Sequence, residues 1–140
     1  MDTLKLSNQL CFPLYAAAKA VIKAYTPLLE PFGITYTQYI TMMVLWEYQP
    51  IAVKDLGEKL YLDSGTLTPL LKKLEKLNYV KRHRSTYDER VVEILLTVEG
   101  MALKDKLKHI PQSLMQMLPL NDEEAKQLYE TLYRLIHKIY

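Results

Sequence analysis

Cysteine is almost absent from this chain, whose 140 residues include only Cys11. A single cysteine excludes an intrachain disulfide and favours a reducing compartment, so we expect a cytoplasmic protein. The opening MDTLKLSNQL is not a targeting leader, and no apolar run approaches the roughly 18 residues of a membrane span, so no membrane partner is expected. Internal repeats, low-complexity tracts and metal-ligand spacings are also missing, so we expect no metal and no cofactor.

Positive charge is concentrated in the middle of the chain. The formal net charge is only +2, and residues 1–50 and 98–140 are each balanced, so the whole excess lies in residues 51–97. Within that segment KLNYVKRHR, Lys76–Arg84, is a dense basic run. A solvated surface explains such a run by charge alone, and a docking site for a polyanion is the functional alternative.

The first third of the chain has the apolar spacing of one helix. Leucine, alanine and valine recur at intervals of three, four and seven from Leu6 to Phe32, and Pro31 and Gly33 close the segment. Pro13 leaves two alternatives, because proline is accepted in a first turn but breaks a helix interior. Either the helix begins near Phe12, with Cys11 at its amino-terminal end, or it begins at Ser7 and bends.

Three shorter helices are predicted next. Thr35 or Thr37 would cap TQYITMMVLWEY, and AVKDLGEKLY, Ala52–Tyr61, has a short amphipathic pattern. LDSGTLTPLLKKLEKLNYV follows after almost no linker, with Asp63 or Ser64 at the cap position. Its predicted core stripe is Leu67, Leu70, Leu71, Leu74 and Leu77. Proline in this helix removes one backbone hydrogen bond, which is tolerable near the first turns.

The period then changes to that of strands. VKRHR (Val80–Arg84) and RVVEILL (Arg90–Leu96) flank the polar STYDE and predict a hairpin, although its turn lacks Gly and Asn. Thr97 is predicted to cap a long helix that Pro111 and Pro119 interrupt, and Asn121 to cap a last helix. The expected fold class is therefore mainly α with a small β-hairpin wing, a winged helix-turn-helix.

A winged helix-turn-helix presents two sets of side chains to double-stranded DNA. A helix fits the major groove, and its side chains opposite the core stripe face base edges and phosphates. On the helix from Asp63 these are Ser64, Thr66, Thr68, Pro69, Lys72, Lys73 and Lys76. The hairpin would carry Arg84 and Arg90 to a narrow minor groove, with Asp88 holding the Arg90 guanidinium in place. For any single lysine, a solvated surface position remains the simpler explanation.

The same residues carry a family resemblance. LDSGTLTPLLKKLE and DER resemble the DNA-binding region of MarR-type regulators, in particular the OhrR-type organic hydroperoxide sensors. NQLCFPLYAAAKAVIKAYTPLLEPFGITYTQY resembles the amino-terminal segment of that branch. The resemblance spans roughly Leu6 to Thr97, and beyond Thr97 only a helical pattern is left.

The resemblance implies a homodimeric repressor that releases a pseudo-palindromic operator when its cysteine is oxidised by an organic hydroperoxide. The family cysteine corresponds to Cys11, the two tyrosines that contact it across the dimer to Tyr15 and Tyr25, and the wing arginine to Arg90. It also implies that residues 1–34 and 98–140 form the helical dimerisation region and residues 35–97 the DNA-binding region of one continuous domain. The sequence resembles the one-cysteine kind, whose sulfenate meets a low-molecular-weight thiol or is oxidised further.

Helical geometry bears on the cysteine site independently. At about 100° per residue, Tyr15 and Tyr25 each lie about 40° from Cys11, on opposite sides, so all three share one face. At about 1.5 Å per residue, however, Tyr25 lies on the order of 21 Å from Cys11 along a continuous helix. A site that contains all three residues would have to be built between two antiparallel chains.

Three competing interpretations remain open. In a MarR-type repressor released by a small aromatic ligand, Cys11 would be incidental, and the 11 tyrosines make an aromatic pocket plausible. A thiol-dependent enzyme would need a base for Cys11, but His83, His109 and His137 lie in the wing and the last two helices, so we do not expect an enzyme. The third, a pure interaction module, is disfavoured by the wing arginines.

Overall fold

A computed structural model describes residues 2–140 of the chain. Seven α-helices and three strands are present in this range, with short 3-10 turns at Leu6–Asn8 and Glu30–Phe32. The helices are α1 (Cys11–Leu29), α2 (Tyr36–Tyr48), α3 (Val53–Leu60), α4 (Ser64–Lys76), α5 (Val98–Leu107), α6 (Ile110–Met117) and α7 (Asp122–Ile139). The strands are β1 (Ile51–Ala52), β2 (Val80–Arg84) and β3 (Val92–Leu96). Across residues 2–140, none of the helices has both the length and the apolar character needed to cross a bilayer.

The first helix is shorter than the apolar spacing predicted. It begins at Cys11, so the structure follows the first of the two alternatives and places the thiol on the first helical residue. Pro13 is the third residue of α1, where the missing N–H costs no intrahelical hydrogen bond. The chain leaves the region through Gly33, whose φ of 73° lies in the left-handed range that glycine adopts without strain.

The helix-turn-helix of α3 and α4 is closed by a tight backbone contact. Leu62 N donates to Gly57 O at 3.0 Å, and a Cβ added at Gly57 would lie 2.8 Å from Leu62 O, so only glycine fits there. The predicted core stripe of α4 is confirmed at four of its five positions, since Leu77 lies past the helix end and is 36% exposed. Pro69 does not break α4, which is continuous from Ser64 to Lys76.

The predicted hairpin is confirmed, with two corrections. β2 and β3 are antiparallel, with Val80 opposite Leu96 and Arg84 opposite Val92. The second strand starts at Val92 rather than Arg90, because Val91 N bonds to Asp88 O and holds those residues in a turn. Sequence patterning also missed β1, whose two residues pair with β3 to give the order β1-β3-β2.

Tertiary hydrogen bonds tie the winged module to its flanking helices. Trp46 Nε1 donates to Gly100 O at 2.9 Å, which joins α2 to α5. Thr97 caps α5 as predicted, since its Oγ1 accepts from Gly100 N at 2.9 Å. The segment after Thr97 is interrupted near Pro111, as predicted: α5 ends at Leu107, and α6 begins at Ile110 with Pro111 in its first turn.

The chain divides into two compact units, one ending at Lys108 and the other comprising His109–Tyr140. The first unit contains α1 to α5 and the sheet, and its core is formed by side chains that are almost fully buried: Leu29, Met42, Leu45, Leu56, Leu67, Leu71, Leu74, Val80, Ile94, Leu103 and Leu107. In the second unit Asn121 caps α7 as predicted, with its Oδ1 accepting from Glu124 N at 2.9 Å.

Candidate functional site

The outward face of α4 is polar and open, as its sequence predicts. The four leucines of the helix are buried, which turns the opposite side to solvent. Six of the seven side chains predicted to face DNA are exposed, and the seventh, Thr68, is half-buried. The exposed ones are Ser64, Thr66, Pro69, Lys72, Lys73 and Lys76. Hydroxyls near the helix start and lysines toward its end form a surface that suits base edges and phosphates together.

The start of α4 is fixed by its cap. The Asp63 carboxylate accepts a hydrogen bond from Thr66 N at 2.7 Å, and this bond holds the pKa of that carboxyl below its usual value. Asp63 therefore stays ionised near neutral pH and keeps the first turn in place. The cap positions the first turn, where Ser64 and Thr66 lie.

The wing tip, residues 85–91, is organised by its own hydrogen bonds. Ser85 N bonds to Val91 O at 2.8 Å, and Arg84 Nη1 donates to Glu89 O at 2.9 Å. Arg84 thus bridges the loop, although its side chain remains exposed. These bonds shape the loop that presents Arg90.

Arg90 projects from this tip and is paired with Asp88. Its Nε and Nη2 donate to the two carboxylate oxygens of Asp88 at 3.2 and 3.4 Å, and its backbone N–H bonds to the same carboxylate. The Arg90 side chain is nevertheless 91% exposed. Hydrogen bonds from Arg90 hold the pKa of Asp88 below its usual value. The carboxylate of the folded protein is therefore charged at neutral pH. The predicted Asp88–Arg90 pair is therefore present.

Cys11 and Tyr15 lie one turn apart on the uncovered start of α1. Cys11 is exposed and Tyr15 is 63% exposed, with Lys19 Nζ 5.0 Å from the centre of the tyrosine ring. Within residues 2–140 neither the thiol nor the Tyr15 hydroxyl makes a hydrogen bond. Both polar groups are therefore available to a molecule outside this chain.

Tyr25 is far from Cys11 and belongs to a cluster of tyrosines. α1 is continuous from Cys11 through Tyr25, so the structure does not bring these two residues together within one chain. The Tyr25 ring lies 4.9 Å from that of Tyr36 and 5.6 Å from that of Tyr39, centre to centre. Burial and the neighbouring phenols raise the pKa of Tyr25 to about 12. Its hydroxyl therefore remains a hydrogen-bond donor throughout the physiological pH range.

Sequence reasoning missed Tyr36 and Tyr39. They occupy positions i and i+3 of α2, so they share a face, but nothing in the pattern indicates that this face meets Tyr25. Burial raises the pKa of both groups. The cluster packs the end of α1 against the start of α2, the helix that precedes the helix-turn-helix of α3 and α4.

A helix-turn-helix with an uncovered polar helix face, followed by a hairpin whose tip presents a paired arginine, defines a winged-helix DNA-binding protein. Known proteins agree with this class. A family model described as transcriptional regulator SarA/Rot matches residues 23–107. The organic hydroperoxide resistance transcriptional regulator of Bacillus subtilis (strain 168) is 46% identical over 139 residues, which cover 99% of this chain and 95% of that protein.

Further relatives and solved structures point the same way. The HTH-type transcriptional regulator SarZ of Staphylococcus epidermidis is 46% identical over 133 residues, covering 95% of this chain and 90% of SarZ. The structure of reduced AbfR bound to DNA is 37% identical with a TM-score of 0.79, covering 96% of this chain and 95% of that one. The overoxidized form of AbfR, also bound to DNA, superposes equally well at 36% identity.

The chain belongs to the MarR-type winged-helix transcriptional regulators, in the OhrR-type branch, and the resemblance seen in its sequence is confirmed. It is a transcriptional regulator rather than an enzyme, which removes the thiol-enzyme interpretation.

Proposed function

We propose that this protein is a homodimeric repressor that releases a pseudo-palindromic operator when an organic hydroperoxide oxidises Cys11. The observation that carries the proposal is the incomplete thiol site of the single chain. Cys11 and Tyr15 are exposed together at one end of α1. The Tyr25 hydroxyl lies on the order of 21 Å away along the helix and makes no hydrogen bond within residues 2–140. An antiparallel second copy would bring each Tyr25 to the other chain's cysteine.

The exposed apolar side chains of the terminal helices support a homodimer. α7 is strongly amphipathic, yet none of its residues is buried. Exposed apolar side chains in α1 and α7 include Tyr15, Ile22, Leu128, Tyr129, Leu135 and Ile139. Apolar faces of this extent on a monomer mark a surface that another chain covers. Residues 1–34 and 98–140 are accordingly proposed as the dimerisation region, and residues 35–97 as the DNA-binding region.

The chemistry proposed for Cys11 needs no second cysteine. The thiolate attacks one oxygen of the hydroperoxide, the O–O bond breaks, the sulfur becomes a sulfenate, and the alkoxide takes a proton to leave as an alcohol. A low-molecular-weight thiol then condenses with the sulfenic acid, forming a mixed disulfide and water. Phenol hydroxyls of Tyr15 and Tyr25 would donate hydrogen bonds to the thiolate and stabilise it. A thiol kept ready for this reaction requires a reducing compartment, so we place the protein in the cytoplasm.

The DNA-binding half of the proposal rests on α4 and the wing tip. The exposed residues of α4 (Ser64, Thr66, Pro69, Lys72, Lys73), with half-buried Thr68 beside them, would enter the major groove. Arg90, held by Asp88, would enter the adjacent minor groove, and Arg84 would support the tip and contact the backbone. AbfR bound to DNA in the reduced and overoxidized forms supports DNA as the partner of a chain so similar in sequence and fold.

The experiment is operator release by oxidation. The protein is bound to a DNA fragment from its own upstream region and treated with cumene hydroperoxide plus a small thiol, with binding followed by fluorescence anisotropy. We expect the native protein to dissociate and the Cys11→Ser protein to remain bound. Equal release of both proteins on oxidation would overturn the sensor assignment, leaving DNA binding untouched.

The alternative of a small aromatic effector has weaker support. A groove of about 680 Å³ lies beside the start of α1, and its lining contains one aromatic ring, that of Phe12, with Leu6, Pro13 and Ala16. The tyrosine rings of α1 and α2 instead pack against one another. The release experiment with the Cys11→Ser protein separates the two mechanisms, because an effector that binds without oxidation would act on both proteins.

A further inference from the structure

Arg82 occupies an unusual position in the wing. Side chains alternate along β2, so Arg82 shares a face with Val80, while Lys81 and His83 point the other way. That face is apolar: Val80 is 2% exposed, and Ile94, which lies opposite Arg82 across the hairpin, is completely buried. A guanidinium placed in an apolar row needs a specific reason, because shielding a charge from water costs free energy unless it is paired.

The partner of Arg82 lies on the DNA-facing helix. Arg82 Nε is 3.4 Å from Glu75 Oε1, and Glu75 belongs to the last turn of α4. Arg82 Nε and Nη2 are shielded from solvent, and within residues 2–140 neither makes an aligned hydrogen bond. The ion pair with Glu75 is the interaction that compensates Nε. The pair therefore joins the two elements that would contact DNA, one in each groove.

We propose that Glu75 and Arg82 are positioning residues that fix the angle of the wing relative to α4, so that Arg90 reaches the minor groove when α4 is seated in the major groove. This inference rests on the proposed recognition of the operator by α4 and the wing. β1 pairs with β3 only at Ile94 and Glu93, so the hairpin beyond those residues is two-stranded. A two-stranded hairpin is only marginally stable by itself, so the direction of this outer part depends on the contacts that anchor it. Arg82 is the central residue of β2, two positions before Arg84, which bonds within the tip loop, and its charge ties the middle of the hairpin to the helix.

If Glu75 acted only through its charge, replacing it would strengthen operator binding, whereas the proposed positioning role predicts weaker binding. Removing a negative charge near DNA tightens binding, since fewer charges oppose the phosphates. Glu93, on the neighbouring strand, supplies a matched control: it faces His83 at 3.9 Å, within the wing, and does not reach α4. Glu75→Gln and Glu93→Gln make the same chemical change and remove one negative charge each.

The experiment measures the operator affinity of the 140-residue protein and of both variants. We expect Glu75→Gln to weaken binding about 3- to 10-fold, as the loss of a partly shielded ion pair implies, while Glu93→Gln binds as tightly as the native protein or more tightly. Equal or tighter binding by Glu75→Gln would overturn the proposal. The charge-swapped protein, Glu75→Arg with Arg82→Glu, keeps the net charge and restores the pair, so it should recover affinity to within about 3-fold.

A second comparison separates positioning from general stability. In an Arg90→Ala background, at a salt concentration where that protein still binds measurably, Glu75→Gln should cause no further loss, because the pair acts through the arginine it aims. If Glu75→Gln weakens binding as much in the Arg90→Ala protein as in the native protein, the inference about Glu75 and Arg82 is overturned, whereas the proposed contact of Arg90 with DNA is not contradicted. If Arg90→Ala alone leaves operator affinity unchanged, the proposed recognition of DNA by the wing is wrong. The two results thus distinguish failure of the positioning role from failure of wing recognition.

Discussion

The Asp88 carboxylate accepts hydrogen bonds from both Nε and Nη2 of Arg90, at 3.2 and 3.4 Å, while the arginine side chain remains 91% exposed. The carboxylate thus fixes the direction of a guanidinium that is otherwise surrounded by solvent. Because a carboxylate repels phosphate, the role we propose for Asp88 is to orient Arg90 rather than to contact DNA. The proposed recognition of DNA by the wing would therefore depend on this short-range pair as well as on the net charge of the segment.

Arg90→Ala should weaken operator affinity by about 10- to 100-fold, because we propose that this arginine supplies the minor-groove contact of the wing. Asp88→Asn should cause a smaller loss, since the guanidinium remains but is no longer held. Fluorescence anisotropy at one fixed salt concentration measures both, and size-exclusion chromatography should show an unchanged dimer. Thr86→Ala, in the same loop, serves as the control. Native affinity in the Arg90→Ala protein would remove the wing from the interface.

Mixed dimers test whether the thiol site is built between chains. In a dimer of one Cys11→Ser chain and one Tyr25→Phe chain, the remaining cysteine faces an intact Tyr25 only if the tyrosine comes from the partner. We expect this thiol to react with cumene hydroperoxide at the native rate and the Tyr25→Phe homodimer to react more slowly, because one donor to the thiolate is lost. Differently tagged chains allow the mixed dimer to be isolated. Slow reaction of the mixed dimer would place the required tyrosine in the same chain as the cysteine.

The raised pKa of Tyr25 predicts a pH dependence of stability. Folding raises this pKa from an ordinary value of 10.0 to about 12, so between those values the folded protein keeps a proton that the unfolded chain has released. The stabilisation is fully present below about pH 10 and is lost as the pH rises through about 12. Denaturant unfolding at pH 9, 10 and 11 should show a steeper loss of stability in the native protein than in Tyr25→Phe, whose ring cannot ionise. If the free energy of unfolding falls equally with pH in the native and Tyr25→Phe proteins, Tyr25 does not have a raised pKa in the folded protein.

Gly100→Ala should destabilise the winged module by about 1–3 kcal/mol, since the added Cβ would collide with Tyr79 O and disturb the Trp46–Gly100 hydrogen bond. Gly65→Ala makes the same change in α4, where the nearest atom would be Asp63 Oδ1 at 3.4 Å, so helix propensity should make it neutral or stabilising. Thermal unfolding followed by tryptophan fluorescence distinguishes the two. If both variants show the same change in unfolding temperature, the close approach of Gly100 to Tyr79 O does not contribute measurably to stability.

Much of the proposed DNA-binding surface could be predicted from the sequence because its determinants are local. The leucine stripe of α4 fixes which side of that helix is buried, so the exposed Ser64, Thr66, Lys72 and Lys73 follow from spacing alone. The Asp88–Arg90 pair joins residues two apart, and the caps at Asp63 and Thr97 act within one turn. By contrast, β1 was missed because a two-residue strand has no periodicity and exists only through its pairing with β3.

The sequence by itself determined the class of fold, the polar face of α4 and the impossibility of a Cys11–Tyr25 contact within one continuous helix, since each depends on repeat spacing along the chain. The tertiary structure alone decided that Tyr25 packs against Tyr36 and Tyr39, and that Arg82 reaches Glu75. The physical reason is that helix and strand periods specify which face of an element is buried, whereas the partner of that face is selected by packing between elements distant in sequence.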